Sequence, residues 1–130
     1  MAIKASGFAA VLLALAACTV EETGSTGGTE QGPLSPSGYS LIGTEPFWGG
    51  TVAATEIVYT TPENQEGERI AVTAAYGPSS ETYSGTLDGQ PFVLTLTAGP
   101  CSDGMSDNEH AFTAQLRVLG ETRQGCANPR

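Results

Sequence analysis

The chain has 130 residues, and its 14 acidic and 5 basic side chains give a formal net charge of −9 at pH 7. Proteins that bind nucleic acids neutralise phosphates with a surplus of lysine and arginine, so this balance argues against a nucleic-acid partner. The acidic surplus mainly favours solubility, and at most it suggests a cationic partner.

Residues 1–17 have the pattern of a secretion signal. The amino terminus and Lys4 precede an apolar stretch, residues 8–15, which is too short to span a bilayer because a spanning helix needs about 20 apolar residues. The signal ends in Leu-Ala-Ala directly before Cys18, a pattern that resembles the bacterial lipobox. The resemblance implies that Cys18 receives a lipid on its thiol and becomes the acylated first residue of the mature chain. The alternative is a plain secreted protein in which Cys18 is incidental.

The lipobox resemblance also bears on localisation. More than one acyl chain holds a protein stably at a membrane, so we expect a protein bound to the cell envelope by its anchor. In the enteric sorting rule, an aspartate after the lipidated cysteine retains a lipoprotein at the inner membrane. Thr19 stands there instead, which favours the outer membrane, facing the periplasm.

The segment after Cys18 is predicted to be a disordered tether. Residues 19–38 are nearly all Thr, Glu, Gly, Ser, Gln and Pro, and such a segment cannot bury enough apolar surface to fold. A chain of this length reaches about 25 Å on average. We therefore expect a lipidated cysteine and tether over residues 18–38, followed by one small β domain over residues 39–130.

Apolar and polar residues alternate through this domain, and a period of two predicts half-buried strands. Turn signals separate the alternating runs at residues 62–67, 77–80, 88–89 and 120–121. The predicted apolar faces are Ile57 and Tyr59; Ile70, Val72 and Ala74; Phe92, Leu94 and Leu96; and Phe112, Ala114, Leu116 and Val118.

Two hairpins follow from the turn signals. Asp88-Gly89 is typical of a type I′ turn, which needs positive φ at both central residues, so residues 83–87 and 90–97 should pair. A second hairpin joins residues 111–119 to the last residues through Gly120. The fold class is therefore all-β, a small antiparallel barrel or sandwich of about seven or eight strands, and the choice between barrel and sandwich stays open.

The two remaining cysteines, Cys101 and Cys126, are predicted to form a disulfide. An exported protein meets an oxidising environment, and with Cys18 committed to the lipid they form the one available pair. A redox-active pair is the alternative, but the Cys-x-x-Cys spacing is missing. Zinc binding with His110 lacks both a fourth ligand and a recognised spacing.

Two segments contain sequence motifs that strand formation alone does not explain. One is Gly43-Thr44-Glu45-Pro46-Phe47-Trp48, with the only tryptophan of the chain; the other is Cys101-Ser102-Asp103-Gly104-Met105-Ser106-Asp107, followed later by Gly125-Cys126. Together they resemble a family of small bacterial envelope lipoproteins without a settled activity, some of which are joined to domains of the heat-shock lipoprotein type. The resemblance spans residues 43–126 and implies the fold and the anchor. The family usually has Arg, an aromatic residue and Pro after the second motif, where this chain has residues 108–111.

Phe47 and Trp48 are neighbours, so on a strand they point to opposite faces. We expect one to lie in the core and the other to be exposed or covered by a loop. One interpretation is a core aromatic together with a ring that closes one end of the barrel. The alternative is an exposed recognition ring, since Trp is enriched at binding hot spots. Glu45 either caps backbone amides where a strand begins or is a buried carboxylate.

The second motif could bind calcium, because Asp103, Asp107 and Glu109 lie close in sequence. A turn in which Asp and Ser side chains bond their own backbone explains the residues more simply. We expect Met105 to fill the core. By residue type alone, Ser106 could be a nucleophile, His110 its base and Asp107 the carboxylate that orients His110. A catalytic triad, however, normally draws its members from separate elements of the fold.

The expected function is a non-enzymatic binding or assembly module at the envelope, with a protein or glycan partner and with no catalytic set, metal or cofactor. One alternative is a structural, stress-related lipoprotein without a fixed ligand, and another is a small hydrolase. The candidate binding residues are Glu45, Phe47, Trp48, Asp103, Met105, Ser106 and Asp107.

Overall fold

Nine strands and no helix occur in the residues that the computed structural model describes, 32–105 and 107–130. The expected signal, the lipidated Cys18, most of the tether, and Ser106 lie outside the described residues. Within the described ranges, no helix has the length and hydropathy that crossing a membrane requires. The strands are β1 (Tyr39–Gly43), β2 (Trp48–Val52), β3 (Glu56–Thr61), β4 (Asn64–Ala71), β5 (Thr73–Tyr76), β6 (Ser80–Leu87), β7 (Gln90–Ser102), β8 (Glu109–Val118) and β9 (Glu121–Pro129).

The strands form one antiparallel sheet in the order β4-β3-β2-β1-β9-β8-β7-β6-β5. Its two edge strands, β4 and β5, are consecutive in the chain and are separated by Val72 alone, so the chain links one edge to the other. A Cβ on Gly85 of β6 would stand 2.4 Å from the carbonyl oxygen of Ala71, which shows that β4 packs directly against β6. The sheet is therefore a nearly closed barrel, with a strand count slightly above the predicted seven or eight.

The predicted apolar faces point into the barrel, so the period-two interpretation is confirmed. All of their members are buried except Ala74, which is partly buried. Aromatic rings join the faces by edge contacts, for example Tyr59 with Phe92 at 5.6 Å and Tyr39 with Phe112 at 5.1 Å between ring centroids. Each large apolar side chain buried in this way stabilises the fold by about 1.5–3 kcal/mol.

Both predicted hairpins form. Leu87 pairs with Gln90 around a turn with φ of 51° at Asp88 and 75° at Gly89, as a type I′ turn requires. In the second hairpin, φ is 51° at Leu119 and 78° at Gly120, so the turn is centred one residue before the predicted position.

The turn predicted over residues 62–67 is shorter than expected. Thr61 already pairs with Asn64, so residues 64–67 belong to β4. Their polar character suggested a loop, but β4 lies at an edge of the sheet, where polar side chains reach solvent on a paired strand.

The predicted disulfide between Cys101 and Cys126 is present, with its Cα atoms 5.7 Å apart. In the sheet, Cys126 pairs with Thr113 of β8, so β8 lies between the two cysteine-bearing strands. The β7 ladder is irregular between Ala98 and Cys101, and beyond this point the end of β7, still paired with the start of β8, lies over the outer face of the sheet against β9. We call residues 99–105 and 107–111 the flap. A loop of this size contributes about 3 kcal/mol to stability in the chain-entropy model.

The described end of the expected tether, residues 32–38, contacts the barrel. The Leu34 N–H donates a hydrogen bond to the Glu81 carboxylate, and Ser35 is buried. The Gly38 N–H donates to the Ser35 carbonyl at 3.0 Å. Part of the polar segment is therefore attached to the domain through backbone hydrogen bonds.

Candidate functional site

Trp48 is the core aromatic of the first motif. It begins β2, is 4% exposed, and donates its indole N–H to the Gln124 carbonyl at 3.1 Å. The ring covers two glycines that face each other between β1 and β9. A Cβ would stand 1.9 Å from the indole nitrogen if placed on Gly43, and 2.8 Å from the ring if placed on Gly125. The glycines of both motifs therefore make room for the buried ring, and Trp48 is not an exposed recognition ring.

Phe47 is the exposed neighbour, at 53%, in the turn before β2. It borders a shallow groove of about 340 Å³ on the outside of the barrel, which we call the outer groove. Gly49 lies in the ladder between Ile42 and Thr60, and its missing side chain leaves backbone as the floor. The lining residues are all uncharged: Leu41, Ile42, Phe47, Trp48, Gly49, Gly50, Thr60, Thr61, Pro62 and Gln65.

A second cleft, of about 210 Å³, lies between the flap and the sheet. Thr44 of the first motif donates its hydroxyl to the Asp103 carbonyl of the second at 3.3 Å. Ile42 lines this flap cleft and also the outer groove. The two motifs therefore meet on one outer surface, and exposed Ile42 lies at its centre.

A polar network holds the flap onto β9. The Ala111 N–H donates to Asn128 Oδ1 at 3.0 Å, which turns the Asn128 Nδ2 group toward His110 Nδ1, 2.5 Å away. Nδ1 must then accept, so the ring proton is on Nε2 and is donated to Asp103 Oδ2 at 2.9 Å. The Asp103 side chain is only 6% exposed.

This network differs from the catalytic triad that Ser106, Asp107 and His110 could form. The carboxylate at His110 is Asp103, whereas Asp107 is exposed. Both ring nitrogens of His110 are hydrogen-bonded to side chains outside that arrangement, Asp103 and Asn128. The nucleophile of that arrangement, Ser106, lies outside the described residues.

The turn of the second motif is built as the simpler interpretation predicts. The Asp103 carboxylate accepts the Met105 N–H at 2.9 Å, and the Ser102 hydroxyl accepts the Gly104 N–H at 3.3 Å. No group of three or more metal-ligating side chains occurs in residues 32–105 and 107–130.

Two expectations about single motif residues need correction. Met105 is 66% exposed and does not fill the core, because the barrel core is already occupied by the strand faces and the flap lies outside it. Glu45 is exposed at a turn with φ of 61°, so it is not a buried carboxylate.

Sequence reasoning missed a buried carboxylate, Glu81, which is 1% exposed. It accepts the hydroxyls of Tyr39 at 2.8 Å and Tyr83 at 2.6 Å, in addition to the Leu34 N–H. Burial, then the hydrogen bond and charge of Glu81, raises the pKa of both tyrosines above the usual value of 10.0. Extending the alternation backward from Tyr83 places Glu81 on the inner face, so the signal was present in the sequence.

Comparisons of the chain with models of protein families, with curated proteins and with solved structures find no match. The resemblance carried by the two motifs therefore stays a prediction.

Proposed function

We propose that this protein is a lipid-anchored lipoprotein of the bacterial envelope and that its barrel is a non-enzymatic binding module. The observation that supports binding most directly is the outer groove, where Phe47 and Ile42 are exposed beside uncharged lining residues. Aromatic side chains, Phe among them, are enriched in protein interfaces relative to the rest of the surface.

The partner that suits the groove is an apolar segment of another envelope protein. The chain carries a net charge of −9, yet its outer groove has no charged lining residue. A partner binding there would gain from apolar burial. At the edge, Thr60 offers a hydroxyl for hydrogen bonds, and the Thr61 hydroxyl, which accepts the Asn64 N–H, can still donate one. The neighbouring flap, held by the disulfide and by the Asp103–His110 contact, keeps this surface preorganised, which lowers the entropy lost on binding.

The anchor is tested by a Cys18→Ala variant in intact cells. The variant should lose labelling by a fatty-acid analogue and move from the membrane fraction to the soluble fraction, because no acyl chain then holds it. A Cys101→Ala/Cys126→Ala variant is the control, since it removes the other two cysteines and should keep the label. Retention and labelling of the Cys18→Ala protein would contradict the anchor.

The groove is tested by placing a photoreactive phenylalanine analogue at position 47 of the full chain in cells. Crosslinking should capture one specific protein, and the same analogue at exposed Ala75 of β5 should not capture it. If both positions capture the same abundant neighbours, the binding proposal fails, and a structural lipoprotein without a ligand is favoured. If the product at position 47 is sensitive to a glycan-cleaving enzyme, the partner is a glycan and the protein partner is excluded.

A further inference from the structure

A third pocket lies where three turns meet, and it contains none of the residues of the two motifs. The turns between β3 and β4, between β6 and β7, and between β8 and β9 contribute Glu63, Asp88 and Leu119 to one cavity of about 300 Å³. We call it the mouth pocket. Mouths of β-barrels are among the places where small ligands bind.

The mouth pocket contains hydrogen-bond donors that lack acceptors. Arg123 donates from Nη1 to the Tyr59 hydroxyl at 3.1 Å and from Nη2 to Glu121 at 3.0 Å. Its Nε–H is buried and has no acceptor among the described residues. Tyr59 is 6% exposed, and its hydroxyl accepts from Arg123, while no described residue accepts its own proton.

Buried donors of this kind are rare in folded proteins, because each one left unsatisfied is destabilising. Arg123 and Tyr59 both line the mouth pocket. An acceptor bound there would take the Tyr59 hydroxyl proton and a hydrogen bond from the exposed part of the Arg123 guanidinium, while the buried Nε–H would stay inside the protein. A carboxylate matches a guanidinium fork better than a neutral acceptor, since charge-assisted hydrogen bonds are the stronger ones.

The charge around the pocket restricts which carboxylates can bind. Glu63, Glu68 and Asp88 line it, and Glu121 already pairs with Arg123. Burial raises the pKa of Tyr59 above its usual value. The nearby Arg123 charge lowers this pKa, and the charges of Glu121 and Glu63 raise it. A purely anionic ligand would be repelled, so the ligand must also carry a positive charge.

We propose that the mouth pocket binds a small zwitterion, with its carboxylate at Arg123 and Tyr59 and its ammonium group at the acidic residues Glu63, Glu68 and Asp88. Leu87 and Leu119 also line the pocket, so a short apolar portion of the ligand would pack against them. Amino acids and short peptides with free ends share this chemistry. This site shares Thr61 with the outer groove, but Arg123, Tyr59 and the acidic residues that would hold the zwitterion do not line that groove.

Ligand chemistry is tested by calorimetry on the full chain, purified in detergent as cells produce it. The probes are leucine and the di- and tripeptides of leucine, each also in its N-acetylated and its amidated form. One zwitterion of this series should bind, and its N-acetylated and amidated forms should each bind about tenfold more weakly or not at all. The position of the tightest member separates a free amino acid from a peptide end. Equal binding of a form with only one charge would overturn the proposal, as would binding by no probe.

Variants locate the site. Arg123→Lys keeps the charge but loses the planar fork, and should weaken binding about tenfold. Asp88→Asn keeps a residue that tolerates the left-handed turn. It should weaken binding of the zwitterion about two- to fivefold and strengthen binding of N-acetyl-leucine.

Matched controls are Arg69→Lys and Glu56→Gln, which alter the exposed ion pair between Arg69 and Glu56 on β4 and β3. They should bind like the wild type. Thermal unfolding of each variant reports folding, and Tyr59→Phe, which removes one donor and keeps the ring, serves if Arg123→Lys does not fold. The site is contradicted if the two control variants weaken ligand binding as much as Arg123→Lys does. It is also contradicted if Asp88→Asn changes the binding of the zwitterion and of N-acetyl-leucine equally.

Discussion

Gly43→Ala tests whether the first motif is a packing unit around Trp48. The new Cβ would stand 1.9 Å from the indole nitrogen, well inside any real contact. The ring cannot move freely, because it is buried and donates to the Gln124 carbonyl. Inserting a methyl group into a filled core costs about 1–3 kcal/mol, and a contact this close belongs at the upper end. We expect about 3 kcal/mol, which lowers the Tm by about 12–24 °C in a domain of this size.

Denaturant and thermal unfolding measure this effect on purified protein. Gly77→Ala is the matched control, because the nearest atoms to its added Cβ lie at an ordinary 3.4 Å; its Tm should stay close to the wild-type value. Combining Gly43→Ala with Trp48→Phe should recover part of the loss, with a coupling of about 0.5–3 kcal/mol between the two positions. The packing argument is refuted if Gly43→Ala is as stable as the Gly77→Ala protein, or if the two changes are additive.

Three further predictions concern stability. Replacing Cys101 and Cys126 by Ala should lower the free energy of unfolding, measured in guanidinium, by about 3 kcal/mol. An unchanged free energy of unfolding would contradict a stabilising role for the disulfide. Glu81→Gln turns one acceptor into a donor facing buried donors and should cost about 1–3 kcal/mol; unchanged urea unfolding would exclude this network as a stabilising one. The raised pKa of Tyr39 and Tyr83 means that their contribution is present below about pH 10 and is lost as the pH rises above it; a flat urea midpoint from pH 8 to 11 would contradict it.

The two proposed sites serve different chemistry on one scaffold. The outer groove is uncharged and shallow, and suits an apolar partner. The mouth pocket is lined by Arg123 and by several carboxylates, and suits a small charged ligand. Loss of crosslinking at Phe47 would leave the mouth pocket untouched, so each proposal can fail alone.

Much of the fold was predictable from local patterns. The alternation of Phe92, Leu94 and Leu96 indicates an inner face wherever the strand lies, because successive side chains point to opposite faces. Asp88-Gly89 specifies its own hairpin for an equally local reason, the positive φ that both residues adopt. The pairing of Cys101 with Cys126 was also predicted without any geometry, from the number of cysteines and the expectation that Cys18 carries a lipid.

The candidate site was less predictable, because its contacts join distant parts of the chain. Sequence indicated that Phe47 and Trp48 point to opposite faces but not which one lies inside; that depends on β9 pairing with β1, which brings Gly125 beneath the ring. Met105 was expected in the core, yet the flap that carries it lies across the outside of the sheet. Asp103 rather than Asp107 meets His110, since the flap turn, and not closeness in sequence, sets which carboxylate meets the ring.

Sequence by itself determined the all-β class, the inner faces of the strands, the hairpin turns and the disulfide pair, because each depends on neighbours along the chain or on simple elimination. Tertiary structure alone decided that the sheet curls into a nearly closed barrel, that Trp48 is buried, and that Arg123 and Tyr59 share a pocket among acidic residues. Those features depend on strand register and on closure of the sheet, which bring together side chains that no local pattern relates.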